Sequence, residues 1–355
     1  MTAGGVRRGL VVGKFWPPHE GHGRLLDAVA AQCDRLFIVV CGVEGQEPSG
    51  RERMWWLQSW YPGAEVVLTD DLCAWHHPDS CPPACTELWA HRLDALGISP
   101  VEVVGAGEDY GEAFAAALGA RLVHLERFEG EVISGTMVRH DLSRYWRSLP
   151  GVVRAGLYRR VVMVGAESTG TTTLTVDMAR RLGLPSTAEA GRTMSWALLT
   201  DAGSMDAVEW DESHFWALIE RQMRFELEAI WNRIDLPPGP LGPWLVCDTD
   251  TLATVAWWER YLRRPAGPVH ALAHGRLADL YVLTSPDGVA MDESDPLRDG
   301  ASIRLAMHER LRELVVDSGR EFIEVTGTPE QRVNQVLVAL ERYEQDHPRW
   351  VHHRP

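Results

Sequence analysis

Short apolar runs rich in Val, Ile and Leu alternate along the chain with longer segments whose apolar residues recur at helical spacing. In the first half, residues 10–12, 36–40, 66–68 and 101–104 read as strands, with 25–31, 54–60 and 88–96 as the helices between them. Unbroken apolar runs suit strands covered on both faces, so the pattern predicts a parallel sheet flanked by helices. The rhythm pauses over 142–158, where Leu149-Pro150-Gly151 is expected to break a helix starting near Thr136. A second series opens with a strand over 161–164 and continues through 185–188, 245–247, 280–284 and 322–325. It carries a long helix over 211–234 and a closing helix from Thr328, whose Thr-Pro-Glu start supplies an N-cap and a proline in the first turn. The fold expected is α/β, two doubly wound parallel-sheet domains over 1–150 and 158–347, with a tail over 348–355 and 237–243 as a loop inside the second domain.

Composition agrees with two cores: 355 residues at 45% hydrophobic content exceed what one core usually organises. The net charge of -15 argues against a broad nucleic-acid surface and leaves room for a small anionic ligand held by a few local cations. Of the 35 basic side chains only Lys14 is a lysine. Six cysteines are too sparse for a disulfide scaffold, and neither a signal peptide nor an apolar stretch of spanning length is evident, so a cytoplasmic protein without membrane insertion is expected.

Two stretches stand where strands hand over to helices. Gly13-Lys14-Phe15-Trp16-Pro17-Pro18-His19-Glu20-Gly21-His22 follows the first strand, and His19 and His22, three apart at a helix start, can face one ligand and donate to phosphoryl oxygens. Ile133-Ser134-Gly135-Thr136-Met137-Val138-Arg139 offers hydroxyls, backbone donors and, one turn on, a guanidinium suited to phosphate. Each alone is explained by surface histidines or by a capped helix with an exposed arginine. Together they read as a phosphate-handling site for adenylyl transfer.

The pair resembles the GxFxPPHxGH and ISGTxxR motifs of the nucleotidyltransferase superfamily. With Tyr145-Trp146-Arg147-Ser148-Leu149-Pro150 and a phosphate loop farther on, the chain resembles the bifunctional nicotinamide-mononucleotide adenylyltransferase/ribosylnicotinamide kinases of the NadR type over nearly its whole length. The resemblance implies a Rossmann-like nucleotidyltransferase domain followed by a P-loop kinase domain. The implied reaction joins the phosphate of nicotinamide mononucleotide to the α-phosphorus of ATP, giving NAD and pyrophosphate, with Mg²⁺ assisting. It implies roles for Gly13, Lys14, Phe15, His19, His22, Ser134, Gly135, Thr136 and Arg139. Glu108-Asp109-Tyr110-Gly111 falls where the family lines its nucleotide pocket, although an ordinary polar loop explains it as well. Some members carry a helix-turn-helix ahead of this domain; here the first strand begins within about ten residues, so transcriptional repression is not expected.

Gly165-Ala166-Glu167-Ser168-Thr169-Gly170-Thr171-Thr172 lies between a strand and a helix and fits GxxxxGK[ST] at every defined position but one, where Thr171 replaces lysine. That lysine ordinarily bridges β and γ phosphates, so its loss weakens transfer more than the backbone cradle. By resemblance, Asp248 and Asp250 belong to a DTD segment that holds Mg²⁺ or orients the substrate hydroxyl, Glu189 and Arg192 to a Glu-x-x-Arg segment, and Arg298 to a mobile lid. A working kinase with Arg192 or Arg298 in place of the lysine and a degenerate, ligand-sensing domain are both compatible with these residues. The assembled motifs favour the former.

Cys73, His76, His77, Cys81 and Cys85 fall within thirteen residues and could form a structural zinc site, although the spacing is not a paired CxxC and unpaired thiols in a Pro-rich loop are the plainer reading. Small-molecule partners (ATP, nicotinamide mononucleotide and ribosylnicotinamide) follow from the resemblance. Trp-rich helices around Trp55-Trp56 and Trp257-Trp258 suit either cores or contacts in a homo-oligomer. An enzyme with two sites, an adenylyltransferase with an inert second domain, and a nucleotide-sensing protein without turnover there are the readings to be separated.

Overall fold

The computed structural model describes residues 6–70, 83–107, 110–125, 133–203, 207–292, 295, 297 and 300–351. Their described parts fall into two compact units, Met1–Gly156 with Asp235–Pro237 and Pro348–Pro355, and Leu157–Ile234 with Pro238–His347.

The first unit contains β1 (Arg8–Gly13), α1 (Glu20–Ala30), β2 (Arg35–Gly42), α2 (Gly50–Trp60), β3 (Glu65–Asp70), α3 (Pro83–Ala95), β4 (Val103–Ala106), α4 (Gly111–Leu118), β5 (Arg121–His124), α5 (Gly135–His140) and α6 (Gly151–Gly156). The strands form one parallel sheet in the order β3-β2-β1-β4-β5. Successive β1 side chains enter opposite cores: Leu10 joins Phe37, Val39 and Val104, whereas Val11 joins Ile38, Val40 and Val103. Covering both faces explains the unbroken apolar runs, and each such side chain contributes roughly 1.5–3 kcal/mol over an exposed one. Edge strand β5 has only two apolar residues, Leu122 and Val123, between Arg121 and His124, which is why its sequence carries no strand signal.

One local expectation is corrected. The helix starting near Thr136 ends at His140, and Pro150-Gly151 opens a helix instead of breaking one. The Pro150 carbonyl accepts from Val153 and Arg154 (both 3.0 Å), a position ahead of the first turn where the ring's missing N–H costs nothing.

The second unit contains β6 (Arg159–Val164), α7 (Thr171–Leu182), β7 (Ser186–Thr187), α8 (Ala190–Ala202), α9 (Glu212–Trp231), β8 (Trp244–Asp248), α10 (Thr251–Leu262), α11 (Gly267–His274), β9 (Leu280–Thr284), α12 (Ala301–Asp317), β10 (Glu321–Val325) and α13 (Pro329–Asp346). Its parallel sheet runs β10-β9-β6-β8-β7, with β6 at its centre, and the chain passes from β6 to edge strand β7 before β8 fills the place between them. Val161, Met163, Val246 and Val282 pack under Leu174, Met178, Val336 and Leu340 from α7 and α13. Thr328 caps α13 through its hydroxyl to Gln331 N (3.3 Å), with Pro329 leading the first turn. Among the described residues no helix is long and apolar enough to cross a membrane. Trp56 and Trp258 are core residues, each 2% exposed, while Trp55 is 59% exposed.

Candidate functional site

In an open parallel sheet, ligands gather at the carboxyl ends of strands, where the connections diverge to opposite sides. In the first unit β1 delivers Gly13 to that edge, between β2 and β4. The chain turns on Phe15, whose φ of 48° is unusual for a side-chain-bearing residue and whose ring is buried. Fully buried Arg53 of α2 grips the turn from outside, donating to the carbonyls of Lys14, Cys41 (3.3 Å) and Ser49 (3.2 Å). The Lys14 side chain is exposed.

His19 caps α1, and its backbone N–H donates to His22 Nδ1 at 3.3 Å. The two imidazoles lie 3.8 Å apart by ring centroid, and His22 packs on Phe15 at 4.9 Å. Gly21 makes room for this stack, since a Cβ there would sit 3.0 Å from the His19 ring.

The second motif meets the first at one carbonyl. Arg139 Nη1 donates to Trp16 O at 2.6 Å, Nη2 reaches Thr136 Oγ1 at 3.0 Å, and the guanidinium lies 4.1 Å from the centre of a Trp16 ring. A Cβ on Gly135 would stand 2.5 Å from that same Trp16 oxygen, so only glycine permits the approach. Ser134 caps α5, accepting from Met137 N at 3.3 Å. Burial depresses the Arg139 pKa from its ordinary value. Two imidazoles and a half-buried guanidinium therefore share one edge of the sheet, an arrangement fitted to phosphoryl oxygens.

In the second unit, a cavity of about 470 Å³ opens at the carboxyl end of β6 and is lined by the loop from Gly165 to Thr172. Gly165 has no space for a Cβ between the hydroxyls of Thr284 and Thr169, and Gly170 adopts a φ of +88° as it starts α7. Thr172 Oγ1 donates to Asp248 Oδ2 at 2.6 Å. Burial pushes the Asp248 carboxyl above the ordinary carboxylate range, against hydrogen bonds from Thr172 and Thr171 and the charge of Arg192. A buried carboxylate beside a loop hydroxyl is a hard-oxygen donor set that fits Mg²⁺.

The structure separates the two aspartates of the DTD segment. Thr249 turns the chain at a φ of 69°, leaving Asp248 at the cavity and sending Asp250 into the core. There Asp250 caps α10, accepting from Leu252 N (2.9 Å), Ala253 N (3.2 Å) and the Tyr281 hydroxyl (2.8 Å). Expected with Asp248 to hold Mg²⁺ or orient the substrate hydroxyl, it is committed instead to helix and sheet. Glu189 lines the cavity at the start of α8. Arg192 also lines it and pairs with Asp295 at 3.0 Å. Arg298, Glu108 and Asp109 lie outside the described residues, as do Cys73, His76, His77 and Cys81 of the zinc expectation. Cys85 is buried on α3, and no group of three or more potential ligands occurs among the described residues.

Sequence reasoning missed an aromatic wall. Trp210, Trp257 and Tyr261 line the same cavity, with Tyr261 stacked on Trp210 (5.0 Å, 19°) and on Trp257 (6.0 Å, 17°). The four-residue spacing of Trp257 and Tyr261 on α10 was its visible signal. Arg304 and Arg332, both buried beside the phosphate loop, gave none beyond a cation in the first turn of α13, where the helix dipole disfavours one.

Comparison with known proteins agrees with this division. Residues 160–332 match the family described as AAA domain. The chain is 26% identical over 337 residues to the trifunctional NAD biosynthesis/regulator protein NadR of Salmonella typhimurium and 25% identical to that of Escherichia coli, covering 89% of this chain and 78% of each relative. A NadR crystal structure in complex with NR superposes with a TM-score of 0.65 at 19% identity, covering 96% of both chains. Another, in complex with NAD and AMP-PNP, gives 0.61 at 19% identity, covering 99% of this chain and 98% of that one. With two parallel-sheet units in this order and relatives aligned along most of its length, the chain is similar to the NadR proteins in both fold and sequence.

Proposed function

We propose that the first unit adenylylates nicotinamide mononucleotide with ATP to give NAD and pyrophosphate, and that the second phosphorylates ribosylnicotinamide. The observation carrying the reading is the Trp16 carbonyl, where Arg139 and Gly135 of one motif close on the other. In adenylyl transfer, a phosphate oxygen of the mononucleotide bonds to the α-phosphorus of ATP as the bond to pyrophosphate breaks. No enzyme-bound intermediate is needed, so catalysis is positioning and charge stabilisation. His19 and His22 donate to the α-phosphate, and Arg139 holds the triphosphate.

In the second unit the ribose hydroxyl attacks the γ-phosphorus and ADP leaves. Glu189, on the cavity wall, accepts the hydroxyl proton. Asp248 and Thr172 would hold Mg²⁺, which when bound neutralises phosphate charge. The flat faces of Trp257 and Tyr261 suit a positively charged pyridine ring. The homologues support this assignment, being NAD biosynthesis/regulator proteins, as do the related structures, which bind NR, NAD and an ATP analogue.

Thr171 favours a second reading, an adenylyltransferase whose other domain senses ligand without turnover. Incubating the protein with ATP, Mg²⁺ and either nicotinamide mononucleotide or ribosylnicotinamide separates the two. Product from both substrates supports the proposal, whereas NAD from the mononucleotide alone leaves the second reading. An absence of NAD from the mononucleotide overturns both.

A further inference from the structure

The phosphate loop lacks its lysine but not a neighbouring cation. Arg332, in the first turn of α13, is 4% exposed. Its guanidinium donates through Nη1 to Thr169 O (2.5 Å), through Nη2 to Ser285 O (2.9 Å) and through Nε to Gly327 O (3.0 Å). These acceptors lie on the loops leaving β6, β9 and β10, so one side chain ties three strand exits together. Arg304 of α12 takes the adjacent carbonyl of the phosphate loop, Ser168 O, at 3.2 Å, and also Val289 O at 3.0 Å.

The charge balance around Arg332 is one-sided. Its hydrogen-bond acceptors are neutral carbonyls, and no carboxylate pairs with it among the described residues. Burial and the nearby charge of Arg304 both disfavour its protonated form. The positive end of the α13 dipole adds to that. A cation kept buried under these conditions needs an anion close by to offset its cost. The cavity side of the same loop is where a polyphosphate would lie: a Cβ on Gly170, the residue before Thr171, would be 3.9 Å from Arg332 Nη1.

We propose that Arg332 is the positioning residue of the phosphate loop and, with Arg304, supplies from behind it the positive charge that Thr171 cannot supply from within. The ligand class is a nucleoside triphosphate, recognised by its phosphates. The inference rests on reading the second unit as a nucleotide site, but it is tested by binding and stands apart from whether phosphoryl transfer occurs.

Hydrogen exchange of the peptide over residues 165–175, followed in the full chain with Mg²⁺ as ATP or adenosine is titrated, isolates this loop from the other ATP site. Arg332→Met is expected to weaken ATP about tenfold while moving adenosine less than about twofold, because only ATP carries the charge that the guanidinium meets. Adding Thr171→Lys to Arg332→Met should restore most of the lost ATP affinity. Equal losses for both ligands, an unchanged ATP affinity, or failure of the lysine to rescue would each overturn the proposal. If Arg332→Met does not fold, Thr171→Lys alone decides: ATP affinity should rise by no more than about threefold, since the charge is already present, and a rise of about thirtyfold or more overturns it. If ATP leaves the exchange of the wild-type loop unchanged at saturating concentration, the proposal and the nucleotide-site reading fail together. Protection without kinase turnover removes only the assigned activity.

Discussion

Thr172 and Asp248 meet at 2.6 Å, linking the first turn of α7 to the end of β8 across the floor of the cavity. Asn at position 248 would keep an acceptor for the threonine hydroxyl but could hold neither a negative charge nor Mg²⁺ tightly. Asp248→Asn should therefore abolish Mg²⁺-dependent phosphorylation of ribosylnicotinamide and leave NAD formation from the mononucleotide intact. The stability effect has the opposite sign. A carboxyl whose pKa is raised in the folded state binds its proton more tightly there, so the ionised form costs stability. That cost is absent below the ordinary value of 3.8 and is complete above the raised one. Melting curves should show the variant gaining on wild type as pH rises past the ordinary carboxylate value, with the gain fully present at neutrality. A variant that melts lower at pH 7 contradicts the assignment.

Thr171→Lys tests a different part of the same loop. A lysine there can follow the γ-phosphate as it moves, which the buried arginines cannot. The expected result is a rise of about tenfold in kcat for ribosylnicotinamide phosphorylation, with KM for ATP changed little. The rate of adenylylation in the same preparation serves as the control and should not move.

His19 and His22 face the adenylylation step alone. Replacing either with Ala should lower kcat for NAD formation by about 100-fold, the usual loss when one donor to a developing charge is removed. Gly135→Ala should be as damaging without touching substrate, because the added carbon would press on the Trp16 carbonyl. Full adenylylation by Gly135→Ala would refute the tight approach of the two motifs.

Trp257 is expected to act on substrate affinity. Trp257→Ala should raise KM for ribosylnicotinamide about tenfold, with a smaller effect on kcat, through the lost stacking and cation–π contact. Trp257→Phe should recover most of it. Steady-state kinetics at saturating ATP measure both.

Chemistry that depends on backbone spacing was legible in the sequence. The glycines of the phosphate loop, the His19 and His22 pair and the Ser134 cap each announce themselves because a turn or a helix start demands those residue types at those intervals. The central strands were legible too, since burial on both faces leaves an unbroken apolar run. Strand β5 was not, because its two apolar residues, Leu122 and Val123, stand between Arg121 and His124 and make no run. The roles of Asp250 and Arg332 were hidden for another reason: a left-handed turn at Thr249 decides which aspartate faces the cavity, and Arg332 finds Thr169 across 163 positions. Neither turn handedness at a threonine nor a contact at that range leaves a local trace.

The meeting of Arg139 with the Trp16 carbonyl also orders events in time. Emerging from the ribosome, the chain displays its histidine pair more than a hundred residues before the arginine that completes it. The segment carrying that arginine follows β4 and β5 in the chain. Adenylylation capacity should thus arise late and all at once, when synthesis passes the α5 helix and the segment it carries docks. A fragment ending before Gly135 would hold the more recognisable motif and no working site.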